Sequence, residues 1–132
     1  MSKNKVILII DDEFIILESL RIQMNNVLDH HITLEAASSA EEAIALIDEF
    51  HENNLDLVLV ISDYHLDEVK GTDIMHYTAK KFPSAHKAIL SGRSELEMIP
   101  ELKKEFERID FIAKPWDFED IKNAIRAALG QK

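Results

Sequence analysis

The chain has 132 residues, of which 46% are hydrophobic and 30% are charged, so it is long enough for one domain with a sizeable core and too short for two. Its formal net charge of −10 argues against non-specific binding to nucleic acid or to an anionic membrane, because both require a basic surface. The absence of cysteine excludes disulfides, thiol catalysis and cysteine-ligated zinc, and the three glycines form no P-loop or dinucleotide-binding fingerprint.

The first half of the chain alternates predicted strands and helices. The apolar run "VILII" within residues 5–10 predicts a buried strand, and it is too short for a signal sequence or a membrane span, so we expect a cytoplasmic protein. Apolar residues at helical spacing follow over 14–29, ending with Val27, and a short strand follows over 32–38. Ser39 and Glu42 then predict the capping box of a second helix. The unbroken run "LVLVI" at 57–61 predicts a strand that is buried on both faces.

The second half continues the same alternation. Its predicted elements are a helix over 72–82, a strand over 86–91, a helix beginning near Ser94, a strand over 109–113 and a helix capped by Asp117. Pro100 falls inside the fourth helix and should delay or kink it. Five strand–helix repeats predict an α/β fold with a doubly wound, five-stranded parallel sheet of flavodoxin-like order 2-1-3-4-5. We expect residues 1–132 to form a single domain.

Polar residues end four of the predicted strands, and these are Asp11 and Asp12, Asp63, Ser91 and Lys114. Taken singly, such residues are ordinary helix caps and turn residues, but a sheet of this order brings them to one crevice at its switch point. Three neighbouring carboxylates repel one another and call for a cation, and an all-oxygen donor set favours Mg²⁺ or Mn²⁺. An aspartate beside such a cation and a lysine can form an acyl phosphate, which makes Asp63 the predicted nucleophile.

Four motifs resemble those of the receiver domains of two-component response regulators over roughly residues 5 to 130. They are "IIDDE" (9–13), "ISDYHLDEVKG" (61–71), "AILSG" (88–92) and "FIAKPWD" (111–117). The resemblance implies a phosphorylation-controlled signalling switch and not an enzyme. Its phosphoryl group would come from a histidine kinase or a histidine phosphotransfer protein, and its downstream protein target is unknown. Neither nucleic acid nor membrane is an expected partner, whereas a phosphorylation-dependent homodimer is compatible with the resemblance.

The resemblance also implies roles for the residues of the crevice. Asp63 would be the phosphoacceptor and Lys114 would bind the phosphoryl group. Asp12, Asp63 and the backbone carbonyl of His65 would hold Mg²⁺ directly, with Mn²⁺ as a substitute. Asp11 would act on the cation mainly through water.

Further residues are implied to carry the switch and to control access to the site. Ser91 would be the switch hydroxyl and Phe111 the switch aromatic, and the changing surface would comprise helix 4, strand 5 and helix 5. The Lys114–Pro115 peptide is expected to be cis. The side chains of His65 and Arg93 are expected to overhang the site. Asp67 departs from the family pattern, which usually has proline at this position, and so leaves the shape and charge of its loop open.

Two alternatives stand beside the switch. The first is a Mg²⁺-dependent phosphohydrolase with an aspartyl-phosphate intermediate. Such enzymes normally carry a second acid two residues after the nucleophile, where this chain has His65, and a cap insertion that encloses the substrate, which this sequence does not contain. The second is a receiver domain cut from a longer signalling protein, for which "KPWD" is a weak indication.

Overall fold

The computed structural model describes residues 4–67, 69–92, 97–106 and 108–130, in which strands and helices alternate along the chain. The strands are β1 (Lys5–Ile10), β2 (Ile32–Ala37), β3 (Asp56–Asp63), β4 (His86–Ser91) and β5 (Ile109–Ala113). The helices are α1 (Phe14–Asn25), α2 (Ala40–Glu52), α3 (Gly71–Lys81), α4 (Ile99–Glu105) and α5 (Phe118–Ala128).

The five strands form one sheet in the order β2-β1-β3-β4-β5, and every neighbouring pair is parallel. The predicted fold class and strand order are therefore confirmed. The chain winds outward from β1 to β2 and then crosses back over β1 to β3. This reversal opens a crevice beyond the carboxyl ends of β1 and β3, which is where a ligand binds in open sheets of this type.

Each face of the sheet is covered by its own hydrophobic cluster. On one face, α2 and α3 contribute Ile47, Phe50, Ile74 and Met75, which pack against Val6, Leu8, Val60 and Ile89 of the sheet. On the other face, α1 and α5 contribute Leu17, Leu20, Met24, Ile121 and Ile125, which pack against Ile7, Ile9, Ile61 and Leu90. Alternate residues of the inner strands thus enter opposite clusters, as the pleat of a strand requires.

β3 shows why its apolar run is unbroken. All five residues from Leu57 to Ile61 are buried, and they are divided between the two clusters, which confirms the predicted two-sided burial. The register with β1 shifts between Val6 and Ile7, so that Val58 and its neighbour Leu59 enter the same cluster. The strand ends on Asp63, whose backbone still pairs with β4.

The helices differ from the prediction mainly at their ends. α1 stops at Asn25 and not at residue 29, because Val27 and Leu28 both donate their N–H groups to the carbonyl of Met24 in a turn. Val27, predicted to lie on the apolar stripe, is consequently 40% exposed. Within the described ranges, no helix has both the length and the apolar character needed to cross a membrane.

α4 begins later than the Ser94 cap would place it. The helix starts at Ile99, so that Pro100 lies in its first turn, where the missing N–H costs no hydrogen bond. The proline therefore delays the helix and does not kink it. Ser94 and Arg93 lie outside the described residues. None of the seven residues of α4 is fully buried, in contrast to the other four helices.

Candidate functional site at the carboxyl ends of the strands

The end of β1 supplies two carboxylates with different surroundings. Asp11 is 0% exposed, and its N–H donates to the carbonyl of Ala37 at 3.2 Å, which continues the pairing with β2. Its Oδ1 accepts the N–H of Glu13 at 2.8 Å, so that the chain turns directly into α1. Asp12 stays partly exposed at the rim of the crevice. Of the two aspartates in the sequence "DDE", Asp11 is therefore buried within the crevice and Asp12 lies at its rim.

The end of β3 supplies Asp63, which is 8% exposed. Its backbone carbonyl accepts the hydroxyl of the buried Ser62 at 2.9 Å. The next residue, Tyr64, donates its N–H to Leu90 at 2.9 Å and accepts the N–H of Gly71 at 2.6 Å. These contacts fix the chain on both sides of Asp63 and hold its carboxylate at the mouth of the crevice.

Gly71 has a steric reason for being glycine. A Cβ atom at this position would lie 2.3 Å from the carbonyl oxygen of Asp63, which is closer than non-bonded atoms approach. The start of α3 can therefore rest against the end of β3 only if residue 71 has no side chain. The sequence reasoning used this glycine as part of a motif but did not identify the contact.

The end of β5 supplies Lys114. Its N–H donates to the carbonyl of Ser91 at 2.9 Å, and its peptide bond to Pro115 is cis, as expected. The ammonium Nζ lies 2.7 Å from Oδ1 of Asp63 and 3.7 Å from Oδ2 of Asp11. The lysine thus reaches across the crevice and ends between two of the carboxylates.

The electrostatics of the crevice follow from this arrangement. Burial raises the pKa of Asp11 from its ordinary value of 3.8 to about 6, and the charges of Asp63 and Asp12 act in the same direction. The N–H of Glu13 and the charge of Lys114 oppose this increase. Burial alone would lower the pKa of Lys114, but its hydrogen bond and ion pair with Asp63 outweigh burial and raise it above the ordinary value.

The crevice also contains polar atoms that the fold leaves unsatisfied. Carboxylate oxygens of Asp11, Asp12 and Asp63 lie within 4.8 Å of one another. Oδ2 of Asp11 and Oγ of Ser91 are buried and have no hydrogen-bond partner in the described part of the chain. Such groups are rare in folded proteins because they cost about 1–3 kcal/mol each. An all-oxygen cluster with an unsatisfied carboxylate oxygen fits a hard divalent cation.

Other predicted residues lie at the border of the crevice. His65 is exposed, and its backbone forms an isolated antiparallel bridge with Lys70 that closes the loop after β3. Phe111 is partly buried against the cluster beneath α2 and α3. The carbonyl of His65 as a cation ligand and Phe111 as a moving aromatic stay predictions. Arg93, which was expected to overhang the site, is not among the described residues.

One contact near the site was not foreseen. In its protonated form the carboxyl group of Asp67 donates a hydrogen bond to that of Asp12, and this bond and the charge of Asp12 raise the pKa of Asp67 above its ordinary value. The sequence analysis identified Asp67 only as a departure from the family pattern. Its contact depends on the path of the loop after β3, which no pattern in the sequence predicts.

A parallel sheet of this order binds its ligand beyond the carboxyl ends of its strands, and in this chain that region contains clustered carboxylates and a facing lysine. The chain belongs to the response regulator receiver domain family, whose sequence model matches residues 7–126. It is therefore a receiver domain of two-component signalling. Domains of this family generally act as phosphorylation-dependent switches and not as enzymes, and they interact with a kinase or a phosphotransfer partner.

Similar proteins are aligned over nearly their full lengths. The chain is 28% identical over 131 residues to sporulation initiation phosphotransferase F of Bacillus subtilis, with 98% of this chain and 97% of that protein covered. A response regulator receiver domain protein from Clostridium thermocellum has a TM-score of 0.81 and 28% identity, covering 96% and 94% of the two chains. The signal receiver domain of an HD domain-containing protein from Pseudomonas fluorescens has a TM-score of 0.79 and 27% identity, covering 97% and 96%.

Proposed function

We propose that this receiver domain accepts a phosphoryl group on Asp63, with a divalent cation bound beside it, and thereby changes a surface that regulates a partner protein. One observation carries the proposal. The Asp63 carboxylate is held at the mouth of the crevice, 2.7 Å from the ammonium of Lys114 and within 4.8 Å of two further carboxylates. This places a nucleophile, a cation-binding cluster and a positive charge around one point.

The residues present fit Mg²⁺, with Mn²⁺ as a substitute. The proposed ligands are Asp12, Asp63 and the backbone carbonyl of His65, while Asp11 would act mainly through bound water. Oδ2 of Asp11, which is buried without a hydrogen-bond partner in the described part of the chain, supports this assignment because a water held by a cation would satisfy it. When bound, Mg²⁺ would neutralise negative charge on the phosphoryl oxygens.

The side chains have separate tasks in phosphoryl transfer. A carboxylate oxygen of Asp63 attacks the phosphorus of a phosphohistidine, so that a P–O bond forms while the P–N bond breaks. The electron pair of the breaking bond stays on the imidazole nitrogen, which takes up a proton from solvent. Lys114 pairs with Asp63 before transfer and is close enough to pair with a phosphoryl oxygen afterwards, so that positive charge follows the negative charge.

The switch would be driven by contacts that exist only after phosphorylation. The hydroxyl of Ser91 is buried without a hydrogen-bond partner in the described ranges, and a phosphoryl oxygen on Asp63 would give it an acceptor. Inward movement of Ser91 would vacate space into which Phe111 rotates. The affected surface would be α4, β5 and α5. Only the difference in interaction between the two states can shift their populations.

The donor would be a histidine kinase or a histidine phosphotransfer protein, and it must reach Asp63 from the open side of the crevice. Next to this opening, α1 exposes a surface that we call the α1 apolar surface, formed by Phe14 (74% exposed), Ile15 (75%) and Ile22 (62%). A groove of about 490 Å³ beside it is lined by Lys114 and Trp116, among others. Exposed apolar residues at such a place favour a protein contact, so we assign this surface to the donor.

The proposal is tested by incubating the chain with a small acyl phosphate and Mg²⁺ and measuring the intact mass. We expect uptake of a single phosphoryl group that requires the cation. Asp63→Asn should abolish uptake, and Lys114→Ala should slow it while leaving cation binding largely intact. Asp56→Asn, at the other end of the same strand, is the matched control and should react normally. Uptake that survives Asp63→Asn would refute the assignment, and turnover of phosphomonoesters would favour a phosphohydrolase instead.

A further inference from the structure

The loop after β3 brings a fourth carboxylate to the candidate site. Asp67 lies beside Asp12 at the rim of the crevice. Both residues line the same cavity of about 550 Å³, which lies between the ends of β1 and β3 and the start of α2. None of the roles assigned above to the crevice residues involves Asp67.

The position of Asp67 is fixed by its neighbours in the loop. Leu66 is 7% exposed and belongs to the hydrophobic cluster beneath α2 and α3, so it anchors the loop to the core. Its N–H donates to the carbonyl of Val69 at 3.0 Å, and the backbone bridge between His65 and Lys70 closes the base of the loop. Asp67 follows this anchored residue directly, and it lines the same cavity as Asp12.

A second observation indicates that the region binds a ligand. Oδ2 of Asp11 and Oγ of Ser91 are both buried and, among the described residues, have no hydrogen-bond partner. Ser91 belongs to a different strand and is not part of the acidic cluster. The unsatisfied atoms therefore point to a bound group independently of the number of carboxylates.

We propose that Asp67 is a positioning residue of the cation site, which acts through Asp12 and raises the affinity of the site for a divalent cation. Mg²⁺ usually keeps several of its waters, and carboxylates outside the first coordination shell accept hydrogen bonds from these waters and orient the direct ligands. When both side chains are ionised, the negative charges of Asp67 and Asp12 repel each other in the absence of a cation, and a bound cation relieves this repulsion. The inference rests on the proposed function, because it takes the cation site to lie at Asp12.

The test compares Asp67→Asn with Glu52→Gln. Asparagine keeps the shape of Asp67 and can donate an amide N–H to Asp12, so the variant removes the charge but preserves the contact. Glu52 is exposed at the carboxyl end of α2, near the amino-terminal ends of the strands. Its replacement therefore removes one negative charge far from the site. Cation binding is measured by titration with Mg²⁺ and with Mn²⁺, followed by calorimetry and by Trp116 fluorescence.

We expect Asp67→Asn to increase the dissociation constant for the cation on the order of three- to tenfold at low salt, and the difference should shrink as ionic strength rises. Glu52→Gln should leave the constant unchanged. In the absence of cation, the unfolding temperature of Asp67→Asn should equal or exceed that of the wild-type chain, because a repulsion has been removed. A purely structural role would lower it instead.

Several outcomes would overturn the inference. One is a dissociation constant of Asp67→Asn equal to that of Glu52→Gln. Another is binding by Asp67→Asn that is weakened only in proportion to a loss of stability without cation. Phosphorylation of wild-type Asp63 separates this inference from the proposed function. If the wild-type chain is phosphorylated in the presence of Mg²⁺ and Asp67→Asn binds the cation equally well, only the role of Asp67 fails. If the wild-type chain binds no divalent cation, both fail.

Discussion

Asp11 shows how folding and the chemistry of the crevice oppose each other at the scale of one residue. The fold buries this carboxyl group completely, satisfies one of its oxygens with the N–H of Glu13 and leaves the other without a hydrogen bond within the described chain. Its pKa of about 6 means that the cation-free protein favours the protonated form of this side chain in weak acid. A site that needs the carboxylate is therefore maintained at a cost in stability.

This cost predicts a dependence of stability on pH. The pKa of Asp11 is raised in the folded state, so between pH 4 and pH 6 the folded protein binds more protons than the unfolded chain, and stability falls as pH rises. The difference between 3.8 and about 6 corresponds to roughly 3 kcal/mol. Above this range the contribution is constant. Below pH 4 both states are protonated at this residue, and the penalty disappears.

Urea unfolding of the cation-free protein at several pH values between 4 and 7 tests this expectation. Asp11→Asn should be more stable than the wild-type chain at pH 7, by roughly 1–3 kcal/mol, and the advantage should vanish towards pH 4. Comparison of the two proteins cancels the titration of the carboxylates that lie far from Asp11. Glu52→Gln, with its change far from the crevice, should follow the wild-type curve. An Asp11→Asn curve parallel to that of the wild-type chain would contradict the prediction.

At the scale of single elements, the apolar pattern determines what can be read from the sequence. Leu57 to Ile61 could only form a strand buried on both faces, and the structure buries all five. Ser39 could be identified as a cap because its Oγ and the Glu42 N–H are three residues apart, and they lie at 3.1 Å. Features of this kind depend on neighbours in the sequence, and they were predicted correctly.

Features that depend on tertiary contact could not be read in the same way. The end of α1 at Asn25 is set by a turn, although apolar residues continue at helical spacing. The close approach of Gly71 to Asp63 and the contact of Asp67 with Asp12 join residues whose proximity is decided by the path of a loop. In the candidate site, the positions of the strand ends predicted which residues come together. They did not predict which buried atoms of these residues would lack a hydrogen-bond partner among the described residues.

α1 provides the prediction at this scale. Ile15 and Ile22 are separated by two turns and lie on the same exposed side of the helix, so a protein donor that buries them gains binding free energy, whereas a small donor gains none. We expect the double variant Ile15→Gln, Ile22→Gln to slow phosphotransfer from a histidine-phosphorylated donor protein on the order of tenfold or more. The reaction with a small acyl phosphate should be unchanged.

The control for this experiment is Val27→Gln. Val27 is 40% exposed but lies beyond the end of α1, near the amino-terminal ends of the strands and remote from the crevice. Its replacement should leave both reactions unaffected. Because all three positions are exposed, none of the variants should change stability by more than about 0.5 kcal/mol. Equal slowing of the protein donor and the small donor would show that the double variant disturbs the crevice and not a docking surface.

At the scale of the whole molecule, the sheet separates a rigid part from a part with fewer constraints. β1 and β3 are buried on both faces and hold Asp11 and Asp63 in place. At the other side of the crevice, the end of β4 is tied to the end of β5, where the Lys114 N–H donates to the Ser91 carbonyl. α4, which follows β4, has no fully buried residue. A change that begins at Ser91 therefore meets the least resistance towards α4 and β5.

The final prediction concerns the spread of this change. Binding of a beryllofluoride phosphoryl mimic with Mg²⁺ should shift amide NMR resonances in α4, β5 and α5 as well as in the loops around Asp63. Trp116, two residues after Lys114 and hydrogen-bonded to Gln23 at 2.7 Å, should report the same event by fluorescence. Ser91→Ala should bind the mimic but lose the remote shifts, because the hydroxyl that responds to the new acceptor is absent.

Ser84→Ala is the matched control, because this serine is exposed in the turn before β4, at the end of the strand opposite to Ser91. It should show the full pattern of the wild-type chain. Shifts confined to the loops around Asp63 in the wild-type chain would exclude the proposed switch. If the remote shifts persist in Ser91→Ala, the domain still switches, but Ser91 does not transmit the change. Loss of the remote shifts in Ser91→Ala alone would identify this buried hydroxyl as the link between the phosphoryl group and the surface, because it is the only change between the two proteins.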